Sequence, residues 1–505
     1  METLQSLISG LSVASAPLNL LFCFIGVVAG VLIGALPGLG PSAGLAILLP
    51  ITFGVNPTAG IILLAGIYYG AMYGGSITSI LIGVPGDPAS VMTVADGYPL
   101  AKAGRAGPAL GMSAFASFIG GTVCVVALTF LAPALAKVAL SFGPPEYFAL
   151  MVLGLTAVSG LTEKSVVKAF LSTLIGLFIS IIGLDLVTGL PRFTFGSIQL
   201  FDGVSFIVVA LGLFGISEVL ISMEQKQAPL IYDKEQLKWR NLFPTLKDWS
   251  VSKWHIVQST VVGFFIGMLP GTGATVATFI SYGIAKNTAP PARKKLFGKG
   301  AIEGVAAPEC ANNAAAVGAF VPLLTLGVPG SASTAVMMGA LMMFGLRPGP
   351  LLFENNPDFV WGLIGSMYIG NVLLVFMVIL CTPIFVRMLQ TPAAVLNAVV
   401  MAFILVGAYS IHNSILDIGL TIFFGWLGYI MKKMDYPAAP LVLALVLGNL
   451  LETSLRQSLI ISGGSVGIFF TKPIAGIIMA CALVVVAWPI IKALRGWKKG
   501  VKSAS

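Results

Sequence analysis

The sequence predicts an all-α polytopic membrane protein: two inverted-topology repeats with broken helices or re-entrant hairpins, and about 12 to 15 membrane passes. Composition is the first observation behind this. Of 505 residues, 57% are apolar and 9% charged, with a mean hydropathy of +0.98, where a soluble domain carries about 25% charged residues. So little charge cannot clothe a water-facing surface, so lipid must meet most of the chain. The second observation is a set of apolar runs at 17–36, 107–136, 166–190, 203–222, 361–386, 394–411 and 468–491. A helix needs about 20 such residues to cross the hydrocarbon, and runs that are continuously apolar exclude a transmembrane β-barrel.

The third observation is an internal repeat. GVLIGALPGLG at 30–40 and GFFIGMLPGTG at 263–273 agree at seven of eleven positions. Each is followed by a second motif, LIGVPG at 81–86 and TLGVPG at 325–330. A lone Pro-Gly marks a turn; two ordered pairs, each cutting an apolar run, point to a duplicated half with interrupted helices.

Charge orients the elements. No Lys or Arg precedes Lys102, which places the N-terminus outside. Residues 17–36 run inward to the first break. A short piece, 41–55, returns to the uncharged Asn56-Pro57. Residues 58–85 cross again through Gly70, Gly74, Gly75 and Ser76, small residues that let helices approach closely. Lys102 and Arg105 lie inside, and crossings at 107–136, 145–162, 166–190 and 203–222 follow. The polar stretch 224–254 is a cytoplasmic linker between an N-terminal repeat, 1–223, and a C-terminal repeat, 255–505. In the second repeat the piece 274–285 ends at the basic loop 286–300, inside, whereas ENNPD (354–358) lies outside. The asymmetry is reversed relative to the first repeat, as inverted topology requires. Arg387, Lys432, Lys433 and the basic C-terminus lie inside. The first residues, METLQSLISG, lack the basic start of a cleavable signal.

Several functions are excluded. The five cysteines lie scattered in apolar runs, which reads as packing rather than disulfides or metal ligands. His255 and His412 are the only histidines, too far apart for a His metal site or triad. GALPGLGPSAG lacks the Lys-Ser/Thr ending of a phosphate loop, and Asp87 has no second motif to make an aspartyl protease. The net charge of +9 reflects cytoplasmic loops rather than nucleic-acid binding. No catalytic residue and no metal site is expected.

What the breaks can do is bind. Proline removes a donor and interrupts a helix, and glycine lets a ligand reach the backbone. Freed N–H groups attract carboxylates, and freed carbonyls with hydroxyls or amides suit Na⁺. Helix kinks alone are the simpler reading, disfavoured by the duplication. Nearby polar candidates include Ser42, Ser76, Asp87, Ser90, Thr272, Thr275, Asn312, Asn313, Thr325, Ser331, Ser333 and Thr334. Glu303 and Glu309, costly in lipid, read either as cation-coupling groups or as loop positions. Asp87 faces the same choice, and Pro88 after it favours a cap.

The runs GALPGLGPSAGLAILLP, YYGAMYGGSITSILIGVPGDPAS and EGVAAPECANNAAAVGAFVPLLTLGVPGSASTAV resemble the large membrane subunit of the bacterial tripartite tricarboxylate transporters (TctA-like), over about residues 17–490. The resemblance implies a secondary transporter of the bacterial inner membrane, not an enzyme, driven by an ion gradient rather than ATP. It implies two partners: a small four-helix membrane subunit and a periplasmic solute-binding protein that delivers organic carboxylates. Carried over by motif, the substrate site takes Pro37, Gly38, Gly40 and Ser42; Gly83, Pro85 and Gly86; Pro270, Gly271 and Gly273; Gly327, Pro329, Gly330 and Ser331; and Asn312 and Asn313. Ion coupling, by Na⁺ or H⁺, falls to Thr272, Thr325, Asp87 and Glu309. The rival readings are a gated organic-anion channel and a purely structural membrane subunit.

Overall fold

Where the breaks fall decides the architecture of the computed structural model, which describes residues 2–36, 39–160, 165–185, 188–224, 239–271, 273–388, 391–485 and 487. Pro37, Gly38 and Thr272 lie outside the described residues, as do 225–238 of the polar stretch.

Helix α1 (Glu2–Ala14) precedes α2 (Pro17–Gly34), which ends in a turn at Ala35-Leu36. Helix α3 (Pro41–Leu48) begins on proline, the one residue that loses nothing in a first turn. Asn56 caps α4 (Pro57–Leu81) by accepting from the Thr58 amide at 2.8 Å. A 3-10 turn (Pro88–Ser90) leads into α5 (Val91–Lys102), then α6 (Ala106–Ala139), α7 (Pro144–Gly160) and α8 (Val166–Ser180). Strands β1 (Gly183–Leu184) and β2 (Pro191–Arg192) pair antiparallel. Helices α9 (Phe206–Ala210) and α10 (Ser217–Glu224) join through a π-helical stretch, Leu211–Ile216.

The second half opens with α11 (Leu246–Gly267), capped by Thr245, so the end of the polar stretch is already helical. Then come α12 (Gly273–Thr288), α13 (Pro291–Lys294), α14 (Glu303–Gly318), α15 (Phe320–Leu326), α16 (Ala332–Met343) and α17 (Pro350–Asn355). The chain closes with α18 (Pro357–Met388), α19 (Ala393–His412), α20 (Ile415–Lys433), α21 (Ala438–Ile461) and α22 (Ile468–Thr471).

Among the described residues eight helices are long and apolar enough to cross a membrane, and α4 is buried from Ala59 to Leu81. Other apolar pieces are shorter. The expected crossing at 166–190 stops at Ser180, because Gly183 (φ 122°) turns the chain into the β-hairpin. The run at 468–491 is interrupted at Lys472, the residue before Pro473. Helices α8, α19 and α20 turn Phe178, Phe403, Phe423 and Trp426 outward, the surface that lipid requires.

The halves repeat one packing. A β-carbon on Gly34 of α2 would come within 2.2 Å of the Ala71 carbonyl oxygen on α4. One on Gly267 of α11 would come within 2.3 Å of the Ala315 carbonyl oxygen on α14. The reverse contacts also correspond: Gly74 against Val31, and Gly318 against Phe264. Close backbone approach through small residues replaces the missing hydrophobic drive between helices in lipid. Each pair is then packed by the long helix of the other half, α14 by α6 and α4 by α18.

Candidate functional site

The four breaks converge on one cavity. It has a volume of about 280 Å³ and is lined by Pro41 and Ser42 of α3, and by Asp87, Pro88 and Ala89 of the 3-10 turn. Gly271, Gly273, Ala274 and Thr275 at α12, and Ser331, Ala332 and Ser333 at α16, form its other side. Met72, Val158, Ala439 and Leu443 close it. Two of the breaks come from each half, so neither half holds the site alone.

The two Gly-Val-Pro-Gly breaks are built alike. Gly83 and Gly327 both take positive φ, 73° and 68°, ending α4 and α15. Four residues on, Asp87 and Ser331 are N-caps with nearly the same backbone, φ −145° and −152°. Each closes a capping box: Asp87 Oδ1 accepts from the Ser90 amide at 3.0 Å, and Ser331 Oγ from the Thr334 amide at 3.2 Å. Asp87 thus caps, as Pro88 suggests, while also facing the cavity. The second half's breaks are tied together where the Gly271 amide donates to the Gly330 carbonyl at 3.0 Å.

The first-turn amides of a helix lack intrahelical partners, and the helix dipole adds partial positive charge there. At two of the starts one such amide is already engaged, that of Ser90 by Asp87 and that of Thr334 by Ser331, and starts gathered around one space add partial positive charge there. No Lys or Arg is among the described lining residues; the polar groups there are backbone amides, the Asp87 carboxylate and the hydroxyls of Ser42, Thr275, Ser331 and Ser333.

Of the residues singled out from sequence, Ser42, Asp87, Gly271, Gly273, Thr275, Ser331 and Ser333 line the cavity. Gly40 stands at its edge, where a β-carbon would lie 3.5 Å from that of Asp87. Gly83, Pro85, Gly86, Pro270, Gly327, Pro329 and Gly330 shape the breaks without lining it. Gly86 packs on the Gly34 carbonyl and Gly75. Thr325 is buried and donates to the Val321 carbonyl in its own helix at 2.7 Å. Asn312 donates to the Met72 carbonyl at 3.0 Å, one residue layer from the cavity, and Asn313 to the Glu309 carbonyl at 3.3 Å. Glu309 is fully enclosed behind the cavity, with the Ser76 and Thr93 hydroxyls donating to its two oxygens. Glu303, also buried, pairs with Arg293, and this hydrogen bond holds the Arg293 guanidinium above its ordinary pKa.

Sequence reasoning missed Asp96 of α5. Its Oδ1 accepts from the amides of Gly298, Gly300 and Ala301 at 2.8–2.9 Å, and its Oδ2 from the Tyr282 hydroxyl at 2.9 Å. It fastens the basic loop of the second half to a helix of the first, and no local pattern announces a partner 200 residues away.

A second cavity, about 560 Å³, lies beside the β-hairpin and includes Arg192, Asp202, His412 and Asn449. Its arginine is already held by Glu452, at 2.8 Å, and Asp185, at 3.4 Å. It touches none of the four breaks.

A multi-pass membrane protein whose broken helices line one cavity between its two halves has the layout of a transporter. Comparison with known sequences narrows the class: the Tripartite tricarboxylate transporter TctA family matches residues 20–443, and the chain belongs to it. An uncharacterized 52.8 kDa protein in the TAR-I ttuC' 3'region of Agrobacterium vitis is 42% identical over 495 residues, 98% of each chain. An uncharacterized protein in the TAR-II ttuC' 3'region of the same organism is 43% identical over 234 residues, 46% of this chain and 96% of that one. No solved structure matches.

Proposed function

We propose that this chain is the transport path of a secondary transporter that imports di- or tricarboxylate anions, driven by a cation gradient. In this reading a periplasmic binding protein delivers the substrate, and a small four-helix membrane subunit accompanies the chain in the bacterial inner membrane. The observation that carries it is the convergence of the four breaks, two from each half, on one cavity with hydroxyls and, among the described residues, no basic side chain. Backbone amides at helix starts and hydroxyls can hold a carboxylate without a basic side chain.

The repeat is inverted in this reading, with the N-terminus periplasmic and the C-terminus cytoplasmic. The reversal of loop charge between the copies supports it. The breaks at 37–42, 83–90, 270–275 and 327–334 then move together against the remaining helices and open the cavity to each side in turn.

The test is uptake of radiolabelled citrate, tartrate and succinate into proteoliposomes holding the chain with both partners, with and without cation gradients. Accumulation above equilibrium establishes coupled transport. Equilibration alone, indifferent to any gradient, establishes the channel instead.

A further inference from the structure

The cavity contains a carboxylate of its own, Asp87, and a second one, Glu309, lies just behind it. Both are buried, and among the described residues neither is paired with a Lys or Arg. A single stretch of α4 separates them. A β-carbon on Gly75 would come 3.0 Å from Asp87 Oδ1, and the next residue, Ser76, donates to Glu309 Oε2. Thr93 of α5 donates to Glu309 Oε1, and Ser117 of α6 reaches the Glu309 carbonyl oxygen at 3.3 Å. The cluster therefore joins α4, α5 and α6 of the first half to α14 of the second.

Two enclosed carboxylates need positive charge, because an unpaired buried charge costs several kcal/mol. A carboxylate substrate entering beside Asp87 adds to that need. The titratable groups facing Glu309 are Asp87, Tyr73 of α4 and Cys310 on its own helix. None carries positive charge. Farther along, Glu303 is neutralised by Arg293, and Asp96 is held by Tyr282 and backbone amides. Both oxygens of Glu309 are joined directly to hydroxyls, which can turn to accept as well as donate, so the enclosed acid has a place for a proton.

Resting on the secondary-transport reading above, we propose that the coupling ion is a proton and that Glu309 carries it, exchanging it with the cavity past Asp87. Glu309 binds the proton while the cavity faces the side of substrate entry. It releases the proton after the cavity has opened to the other side, so substrate and proton cross together.

The experiment uses the chain with its partner subunits in sodium-free proteoliposomes loaded with a pH-reporting dye, and radiolabelled tartrate, citrate and succinate as probes. An inward proton gradient of one pH unit should support about tenfold accumulation for each proton carried, and substrate entry should acidify the lumen. Glu309→Gln, the shape of the neutral acid, should abolish both while substrate–substrate exchange persists. Thr93→Val removes one hydrogen bond to the carboxylate and should move the pH of half-maximal accumulation upward by about one unit. Accumulation on a sodium gradient alone, without lumen acidification, would overturn the proton and leave coupled transport standing. Equilibration indifferent to both gradients would overturn the transport reading as well. Wild-type accumulation by Glu309→Gln, or an unmoved pH profile in Thr93→Val, would remove Glu309 from the role.

Discussion

Gly271 offers the sharpest test of the cavity, because its backbone and its surroundings both reject a side chain. Its φ is +83°, and a β-carbon there would stand 2.3 Å from the Val158 Cα and 2.6 Å from the Val158 amide nitrogen of α7. An L-residue in this left-handed region costs about 1–2 kcal/mol, and overpacking against backbone adds about 1–3 kcal/mol. Relief requires Gly271 to move, which breaks the hydrogen bond its amide donates to the Gly330 carbonyl and pulls the α12 start away from the α16 start. Gly273 supplies the control: φ is +59°, and nothing lies within 4 Å of its β-carbon position, so alanine there meets the backbone cost alone. Gly271→Ala should therefore transport about 5- to 150-fold less well than Gly273→Ala, the difference that 1–3 kcal/mol makes. The assay is initial uptake at low substrate, normalised to inserted protein, with melting of the detergent-solubilised variants alongside. Equal uptake by the two variants would refute the argument that contact with α7 positions this edge of the cavity.

Arg293→Gln leaves Glu303, 1% exposed, without its partner; the partly exposed arginine sets the cost near the lower end of about 3–5 kcal/mol, read as reduced thermal stability in detergent. Replacing both residues by apolar ones of similar size should restore most of it. Asp96→Ala strands the amides of Gly298, Gly300 and Ala301, at about 1–3 kcal/mol for each left dry; hydrogen exchange over 291–303 should accelerate, and unchanged exchange would show that the loop is held by something else. Cysteines placed at Asn56 and Lys295 in a cysteine-free background should react with an impermeant maleimide from opposite faces of the membrane. Labelling from one face would end the inverted arrangement of the repeats.

Breaks are legible in sequence because their cause is local. A helix in lipid stops only where proline withholds a donor or glycine permits a turn, and both copies of Gly-Val-Pro-Gly do stop one at its first glycine. The close packing of α4 on α2 is legible for the same reason, since Gly70 and Gly74 leave the space that α2 occupies. Hydropathy fails where the distinction lies in dihedral angles. Leu184 and Leu190 are as apolar as the helix before them, yet Gly183 and Gly189 (φ 122° and 69°) carry them into a hairpin.

Pairing across the chain is the part that sequence leaves dark. A carboxylate in an apolar run announces a cost, and Glu309 stands out on that ground alone; its hydroxyl partners lie 216 and 233 positions away and look like any Ser or Thr in a small-residue helix. Asp87 shows how a local rule can be right and incomplete. Its proline neighbour predicts a cap, and it caps the turn it begins. A capping residue, however, sits where a helix starts, and here the helix starts are the walls of the cavity. Structural and functional readings of that carboxylate therefore do not compete: the position that satisfies the backbone is the position that faces the cavity.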